Sequence, residues 1–266
     1  MKTISVFGHR GFIGSLLLQR TREAGYAVRT FSRDEIPEGD LGHVFYAIGL
    51  TADFRRRPWE TADAHVCYLN RLLAQCRFES FCYLSSTRIY ARQDGVKPVE
   101  EDEALRVLST DPSDLYNLSK LMGESLVLAS ACENLLIFRL SNVFGEGMGE
   151  DCFLGSLLAE GRKNGSLEIR QSPTSGKDYV SVDDVVEILL ASISKRGRGV
   201  YNLASGQTTT HQAVSEVLIR HGIGVRFLPD APEVTYPPIS IARLERDFCR
   251  PGGSVLAYLD ACLEGF

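Results

Sequence analysis

An α/β fold wound around a parallel sheet is what this sequence predicts, and three observations carry that expectation. The chain opens with KTISVFGHRGFIG (residues 2–14), where the apolar run 4–7 is followed by glycines 8, 11 and 14 and by a helical pattern over 12–23. Further apolar runs of strand length, at 27–31, 44–48 and 81–86, alternate with helical patterns, as the strand–helix–strand units of a doubly wound sheet require. The 266 residues, 44% hydrophobic and 24% charged, suffice to bury a core as one large domain or two intimate lobes.

Each glycine has a physical task. Gly8 turns the chain off the first strand, Gly11 lets the backbone approach a phosphate, and Gly14 lets the helix pack close on the sheet. This is the Rossmann-type arrangement that holds a dinucleotide pyrophosphate against the free N–H groups of a helix start. Gly8, Arg10, Gly11, Phe12, Ile13 and Gly14 are the candidate cofactor contacts there. In nicotinamide-binding folds an acid about 20 residues beyond the glycines holds the ribose 2′-hydroxyl of NAD. Ser32 and Arg33 stand at that place. With Arg10 they would accept a 2′-phosphate, so NADP(H) is preferred; Asp34 and Glu35 follow slightly too late but leave NAD(H) open.

A formal net charge of −5 gives no basic surface for nucleic acid or an anionic membrane. No apolar run approaches the length of a membrane span, and the first strand follows the N-terminus too closely for a secretion signal. The seven cysteines are scattered, odd in number and form no C-x-x-C, which reads as reduced thiols in a cytoplasmic protein. Neither they nor the five histidines have metal-ligand spacing, so no metal is expected.

Only residues 32–43, with Pro37, Gly39 and Gly42 among them, separate the second and third strand runs. A crossover carrying its own helix needs more. Extended, the segment could still cover about 40 Å, enough to reach the far side of strand 1. The expected sheet is therefore trimmed between strands 2 and 4 of the usual fold, with Asp40 and Leu41 lining the adenine pocket instead. Ala47, Ile48 and Gly49 end the next strand at the cofactor edge, and the arginines 55–57 read as a solvated loop. A helix over 58–76 follows, with Val66, Leu69, Leu72 and Leu73 at helical spacing. The strand 81–86 ends in Ser85-Ser86 and runs into Thr87-Arg88; the acidic residues 100–103 read as a surface excursion near the mouth of the site. Tyr116 and Lys120, at i and i+4, share one face of the next helix.

Glycine loop, Ser-Ser strand end and Tyr–Lys pair together resemble the extended short-chain dehydrogenases/reductases, in the branch of NAD-dependent epimerases and dehydratases that modify nucleotide sugars. Residues 139–145 (RLSNVFG) resemble the family segment whose Asn, here Asn142, touches the substrate diphosphate. Residues 177–184 (KDYVSVDD) are similar to the family's RDYIHVDD, with Lys177 replacing a phosphate-binding Arg, so that a forked contact becomes a point charge. Residues 200–205 resemble the last sheet strand, and 239–251 the closing segment, with Arg243 as a nucleotide contact. The division this implies is a dinucleotide-binding part, 1–142 and 178–206, and a substrate-binding lobe, 143–177 and 207–266.

Tyr116 is the expected general acid/base. To work near neutrality its hydroxyl must come down from near 10 to about 7, and a close cation, expected to be Lys120, would supply part of that change. The resemblance adds that Lys120 grips the nicotinamide ribose. Ser86 would hold the reacting oxygen, with Thr87 as its substitute. Two departures narrow the chemistry. The family's dehydratases carry Asp-Glu after the catalytic hydroxyl residue, where this chain has Thr87-Arg88. Members that epimerise at C3 and C5 use a Cys and a His; here Thr87 stands at the Cys position and no His lies between 65 and 211. The expected reaction is NADPH-dependent reduction of a 4-keto sugar nucleotide. The alternatives are 4-epimerisation with retained cofactor, reduction of another small carbonyl, and a non-enzymatic cofactor-sensing protein. Family members often pair through two helices, here 58–76 and 113–130, which makes a homodimer an option.

Overall fold

A computed structural model of the chain describes residues 2–33, 35–50, 53–95 and 97–264. Its first unit is β1 (Thr3–Phe7), α1 (Phe12–Glu23) and β2 (Ala27–Phe31). There follow β3 (His43–Tyr46), α2 (Pro58–Ala62), a π-helical turn (Asp63–Cys67), α3 (Tyr68–Gln75), β4 (Ser80–Ser86), a 3-10 turn (Thr87–Tyr90), α4 (Asp114–Ala129) and β5 (Leu135–Leu140). The remainder comprises β6 (Asn142–Phe144), α5 (Phe153–Asn164), β7 (Ser166–Ile169), β8 (Gly176–Ser181), α6 (Val182–Ser192), β9 (Arg198–Leu203), β10 (Thr208–Thr210), α7 (His211–Arg220), β11 (Gly224–Phe227), α8 (Ala242–Asp247) and α9 (Val255–Leu263).

Six parallel strands make the central sheet in the order β2-β1-β3-β4-β5-β9. β2 is an edge, and β3 lies directly against the other side of β1, with Ile4 opposite His43. Among the described residues the short linker thus crosses β1 without strand or helix, and the sheet is trimmed as its length requires. That route overturns the expectation for Asp40 and Leu41. Both precede β3, at the opposite end of the sheet from the glycine loop. Leu41 is fully buried in the apolar layer with Val44 and Leu72, and the Asp40 carboxylate accepts the Gly42 N–H at 2.9 Å.

Side chains alternate across each strand, so the strands bury both faces. Ile4, Val6, Phe45, Leu84 and Phe138 pack under Leu17 of α1 and Val185 and Ile188 of α6. Phe7, Val44, Tyr46, Tyr83 and Ile137 pack under Leu69 and Leu72 of α3 and Val127 of α4. A third cluster joins Leu154 and Leu158 of α5, Val214 and Leu218 of α7, and Leu259 and Leu263 of α9 around the β7–β11 pair. The three-stranded sheet β10-β8-β6 stands beside it.

Toward the carboxyl ends of β4 and β5 the interior turns polar. Arg139 grips Glu124 of α4 with both sides of its fork, Nε to Oε1 at 3.0 Å and Nη2 to Oε2 at 2.7 Å, and the two side chains are only 6% and 5% exposed. The Ser85 hydroxyl donates to Glu124 at 2.5 Å, and Arg139 Nη1 donates to the Tyr90 hydroxyl at 2.7 Å and the Glu101 carbonyl at 2.9 Å. Glu101, expected on the surface, is buried and its carboxylate accepts the Asn202 N–H at 2.9 Å. The acidic stretch is therefore a strap tied onto the sheet, which its composition could not reveal because the tether is an arginine nearly forty positions away.

Replacing Arg139 by Met strands the Glu124 charge and should cost about 3–5 kcal/mol of stability. Adding Glu124→Met should recover most of the loss, because two apolar side chains then replace two charges. Urea denaturation reads both; a double variant no more stable than the single one would overturn this account.

Candidate active site

The loops after β1, β3, β4 and β5 converge on one cavity of about 670 Å³ at the carboxyl end of the sheet. That is where a parallel α/β sheet places polar groups able to meet a ligand. The glycine loop forms one wall. Gly8 has φ +84°, and a Cβ there would lie 2.6 Å from the Ala47 carbonyl oxygen; a Cβ on Gly14 would collide with the Gly8 carbonyl. Gly11 has only the Gly8 oxygen nearby, at 3.3 Å, so its other side is open. No side chain caps α1, which leaves its first N–H groups and positive dipole end free for an anion. A dinucleotide pyrophosphate fits this cradle.

Gly11, Phe12, Ile13 and Gly14, then Ala47, Ile48 and Gly49, line the cavity, and Gly8 lies outside its lining. Arg10, Ser32 and Arg33 are exposed and are not part of its lining. Asp34 lies outside the described residues, while the Glu35 carbonyl accepts the Tyr68 hydroxyl at 2.6 Å.

Ser86, Thr87, Tyr116, Lys120, Asn142 and Lys177 all face the same cavity. Ser86 ends β4, and its hydroxyl accepts the Arg88 N–H at 3.2 Å, capping the 3-10 turn. Tyr116 is 4% exposed and shares the cavity wall with Ser86. Burial raises its hydroxyl above the ordinary value, opposed by the Ser86 hydroxyl and the Arg88 charge. Arg88 is therefore a cation acting on Tyr116. Lys120 donates to the Leu84 carbonyl at 2.8 Å and stands 5.1 Å over the Tyr83 ring; burial pushes it down to about 7, which weakens its charge. Thr87 donates to the Leu140 carbonyl at 3.2 Å, and the Asn142 amide to the Asp178 carbonyl at 2.9 Å. Lys177 lies 4.5 Å over the Phe153 ring.

Arg243 does not reach the cavity. Its guanidinium is held by Asp102 at 2.5 Å, by Glu101 at 3.6 Å and by the Val200 carbonyl at 3.3 Å. The strap that sequence left in solvent supplies the two acids that take it.

His65 was not singled out in the sequence. It sits in the π-helical turn, fully buried, edge-on to Tyr116 at 5.4 Å between ring centroids. Its Nε2 accepts the Leu50 N–H at 3.3 Å, so Nδ1 carries the proton and donates to the Ser119 hydroxyl at 2.8 Å. Ser119 in turn donates to the Tyr116 carbonyl at 2.9 Å. A hydrogen-bonded chain therefore joins the loop after β3 to the turn carrying Tyr116. One signal was available: His65 precedes Leu69 by four residues and shares its buried face.

Fold and cavity together define a dinucleotide-binding α/β protein with a buried tyrosine, a serine and a lysine at its site. The NAD dependent epimerase/dehydratase family matches residues 4–204, and the chain belongs to that family, whose members are enzymes of the extended short-chain dehydrogenase/reductase type. Among its relatives is a dTDP-L-rhamnose 4-epimerase of Burkholderia thailandensis, 24% identical over 175 residues; these make up 61% of this chain and 44% of that protein, so the match spans less than half of the relative's length. Among solved structures, MoeE5 in complex with UDP-glucuronic acid and NAD superposes with TM-score 0.82 at 22% identity, covering 98% of both chains. RMD from Pseudomonas aeruginosa, complexed with NADPH, gives TM-score 0.78 at 21% identity, covering 99% of this chain and 98% of its own.

Burial, with the charges of Lys120 and Arg33, drives His65 from 6.5 down to about 2, and burial with Lys177 takes His211 to about 4. Below pH 6.5 the unfolded chain binds protons that the folded one refuses, so stability falls as pH drops through that value. For His65 the slope approaches about 1.4 kcal/mol per pH unit. Thermal melts against pH should be flatter in His65→Gln; an unchanged slope would contradict the assignment.

Proposed function

We propose that the protein is an NAD(P)-dependent nucleotide-sugar oxidoreductase that reduces a 4-keto sugar nucleotide with NADPH. The observation that carries this reading is the buried Tyr116 beside the half-buried Ser86 on the wall of the cavity into which the α1 N-terminus opens. The glycine loop would hold the pyrophosphate and Lys120 the ribose. A nicotinamide bound there supplies hydride chemistry. Ser86 holds the reacting oxygen against Tyr116, and Tyr116 passes its proton to that oxygen. Thr87 is turned to the Leu140 carbonyl, which leaves Ser86 the better-placed hydroxyl. Asn142 and Lys177 would meet the substrate diphosphate. The residues after Ser86 carry no carboxylate to expel water, which disfavours dehydration.

Arg10, Ser32 and Arg33 support NADP(H) over NAD(H). A second reading, 4-epimerisation with retained cofactor, is favoured by the 4-epimerase relative and by the NAD in MoeE5. Trp59 on α2 and Met122 on α4, 83% and 52% exposed, support a homodimer through those helices. The seven free thiols support a cytoplasmic setting. Among the described residues no helix is long and apolar enough to cross a membrane.

Tyr116→Phe deletes the proton donor and should lower turnover at least about 10²-fold while dinucleotide binding survives; near-normal turnover would remove Tyr116 from the role. Wild-type protein should bind NADPH more tightly than NADH in a fluorescence titration, and Arg33→Asp should reverse that order. Given a nucleotide-linked 4-keto sugar and NADPH deuterated on its transferring face, the protein should place one deuterium at C4 per NADPH consumed. Inversion of a UDP-hexose at C4 without net cofactor use would instead establish the epimerase.

A further inference from the structure

Arg88 has a place in the fold that proton transfer at Tyr116 does not account for. It follows Thr87 in the 3-10 turn, its backbone pinned to the Ser86 hydroxyl, and its side chain lines the cavity. The guanidinium lies 5.4 Å from the centroid of the Phe54 ring, and that ring lies 5.4 Å from the ring of Tyr116. Arg92 is neutralised by Asp114, Arg139 by Glu124 and Arg243 by Asp102, while Arg55, on the same Phe54 ring at 4.5 Å, donates to the Ser113 hydroxyl. Arg88 has no such carboxylate among the described residues, and its Nε is buried without a hydrogen-bond partner. A guanidinium half out of water with unclaimed donors is unfavourable unless something else completes it. Its charge also reaches both Tyr116 and Lys177, which line the same cavity.

Sugar geometry identifies the missing partner. With the C4 oxygen on Tyr116, the diphosphate leaves from C1, across the ring, toward Lys177 and Asn142. A cation beside Tyr116 therefore meets a group on C3 or C5. The anionic group that a hexose can carry there is the carboxylate of an oxidised C6, and its planar pair of oxygens matches a guanidinium fork. We propose that Arg88 binds a C6 carboxylate, so that the substrate is a nucleotide-linked uronic acid. This rests on the C4 chemistry proposed above and names its substrate class; it is compatible with either reduction or inversion at C4.

Calorimetric titration with UDP-glucuronate and UDP-glucose tests it, because the ratio of the two affinities cancels the nucleotide. Wild-type protein should prefer the uronate by about tenfold or more. Arg88→Met should bind both sugars at the wild-type UDP-glucose level, Arg88→Lys should keep a reduced preference, and NADPH titration should show the dinucleotide site intact in both. Absence of a preference in the wild type, failure to bind either sugar, or equal weakening of both in Arg88→Met would overturn the proposal; the last would assign Arg88 to the diphosphate. An Arg88-dependent preference for the uronate without any change at C4 would remove the reaction and leave this inference standing. Reduction of a neutral 4-keto sugar nucleotide at a rate indifferent to Arg88 would do the reverse.

Discussion

The buried ion pair of Glu124 and Arg139 sets the geometry of the site. Glu124 lies one turn beyond Lys120 on α4, and it also accepts the hydroxyl of Ser85, the neighbour of Ser86. The helix that carries Tyr116 and Lys120 is thereby fixed along its axis against the strand that carries Ser86. Away from water such bonds are strong and leaving them unmade is expensive, so the register has little freedom to drift. Gly123, adjacent in the helix, lets α4 approach closely: a Cβ there would collide with the Tyr83 hydroxyl. The same arginine ties down the strap through Tyr90 and Glu101, and the strap in turn takes Arg243.

Two kinds of polarity meet in the cavity. On the side of α1 the donors are backbone N–H groups and a helix dipole, spread over a surface that suits a diphosphate. On the opposite side they are side-chain cations, Arg88 and Lys177, whose charge cannot be shared with the backbone. Between them stand hydroxyls and a lysine that burial has weakened. Burial favours the protonated form of Tyr116. His65 completes the arrangement from behind by fixing one tautomer between the β3 loop and the Tyr116 turn.

Local pattern was sufficient for much of this. The unit β1-α1-β2 and the trimmed sheet follow from apolar runs, glycine spacing and one linker too short for a helix. Ser86, Tyr116 and Lys120 were legible because strand ends and i, i+4 spacing are local properties. Thr87, Asn142 and Lys177 came from resemblance, and they share the same cavity. What failed has a common cause. Asp40 and Leu41 were assigned by position in the chain, yet strand direction puts them at the far end of the sheet. Glu101 was judged by polarity and Arg243 by resemblance, yet each is held by residues distant in sequence.

The sequence by itself determined the βα order, the glycine loop at the start of α1 and the placing of Tyr116 and Lys120 on one helix face, because backbone sterics and side-chain periodicity act over a few residues. Only the tertiary structure decided which charges are neutralised and which are left over. It gave Glu124 to Arg139, Asp102 to Arg243 and no described acid to Arg88, and it turned Lys120 from the cation expected at Tyr116 into a buried, weakened one. Burial and ion pairing depend on distances across the fold, and those exist only once the chain has closed on itself.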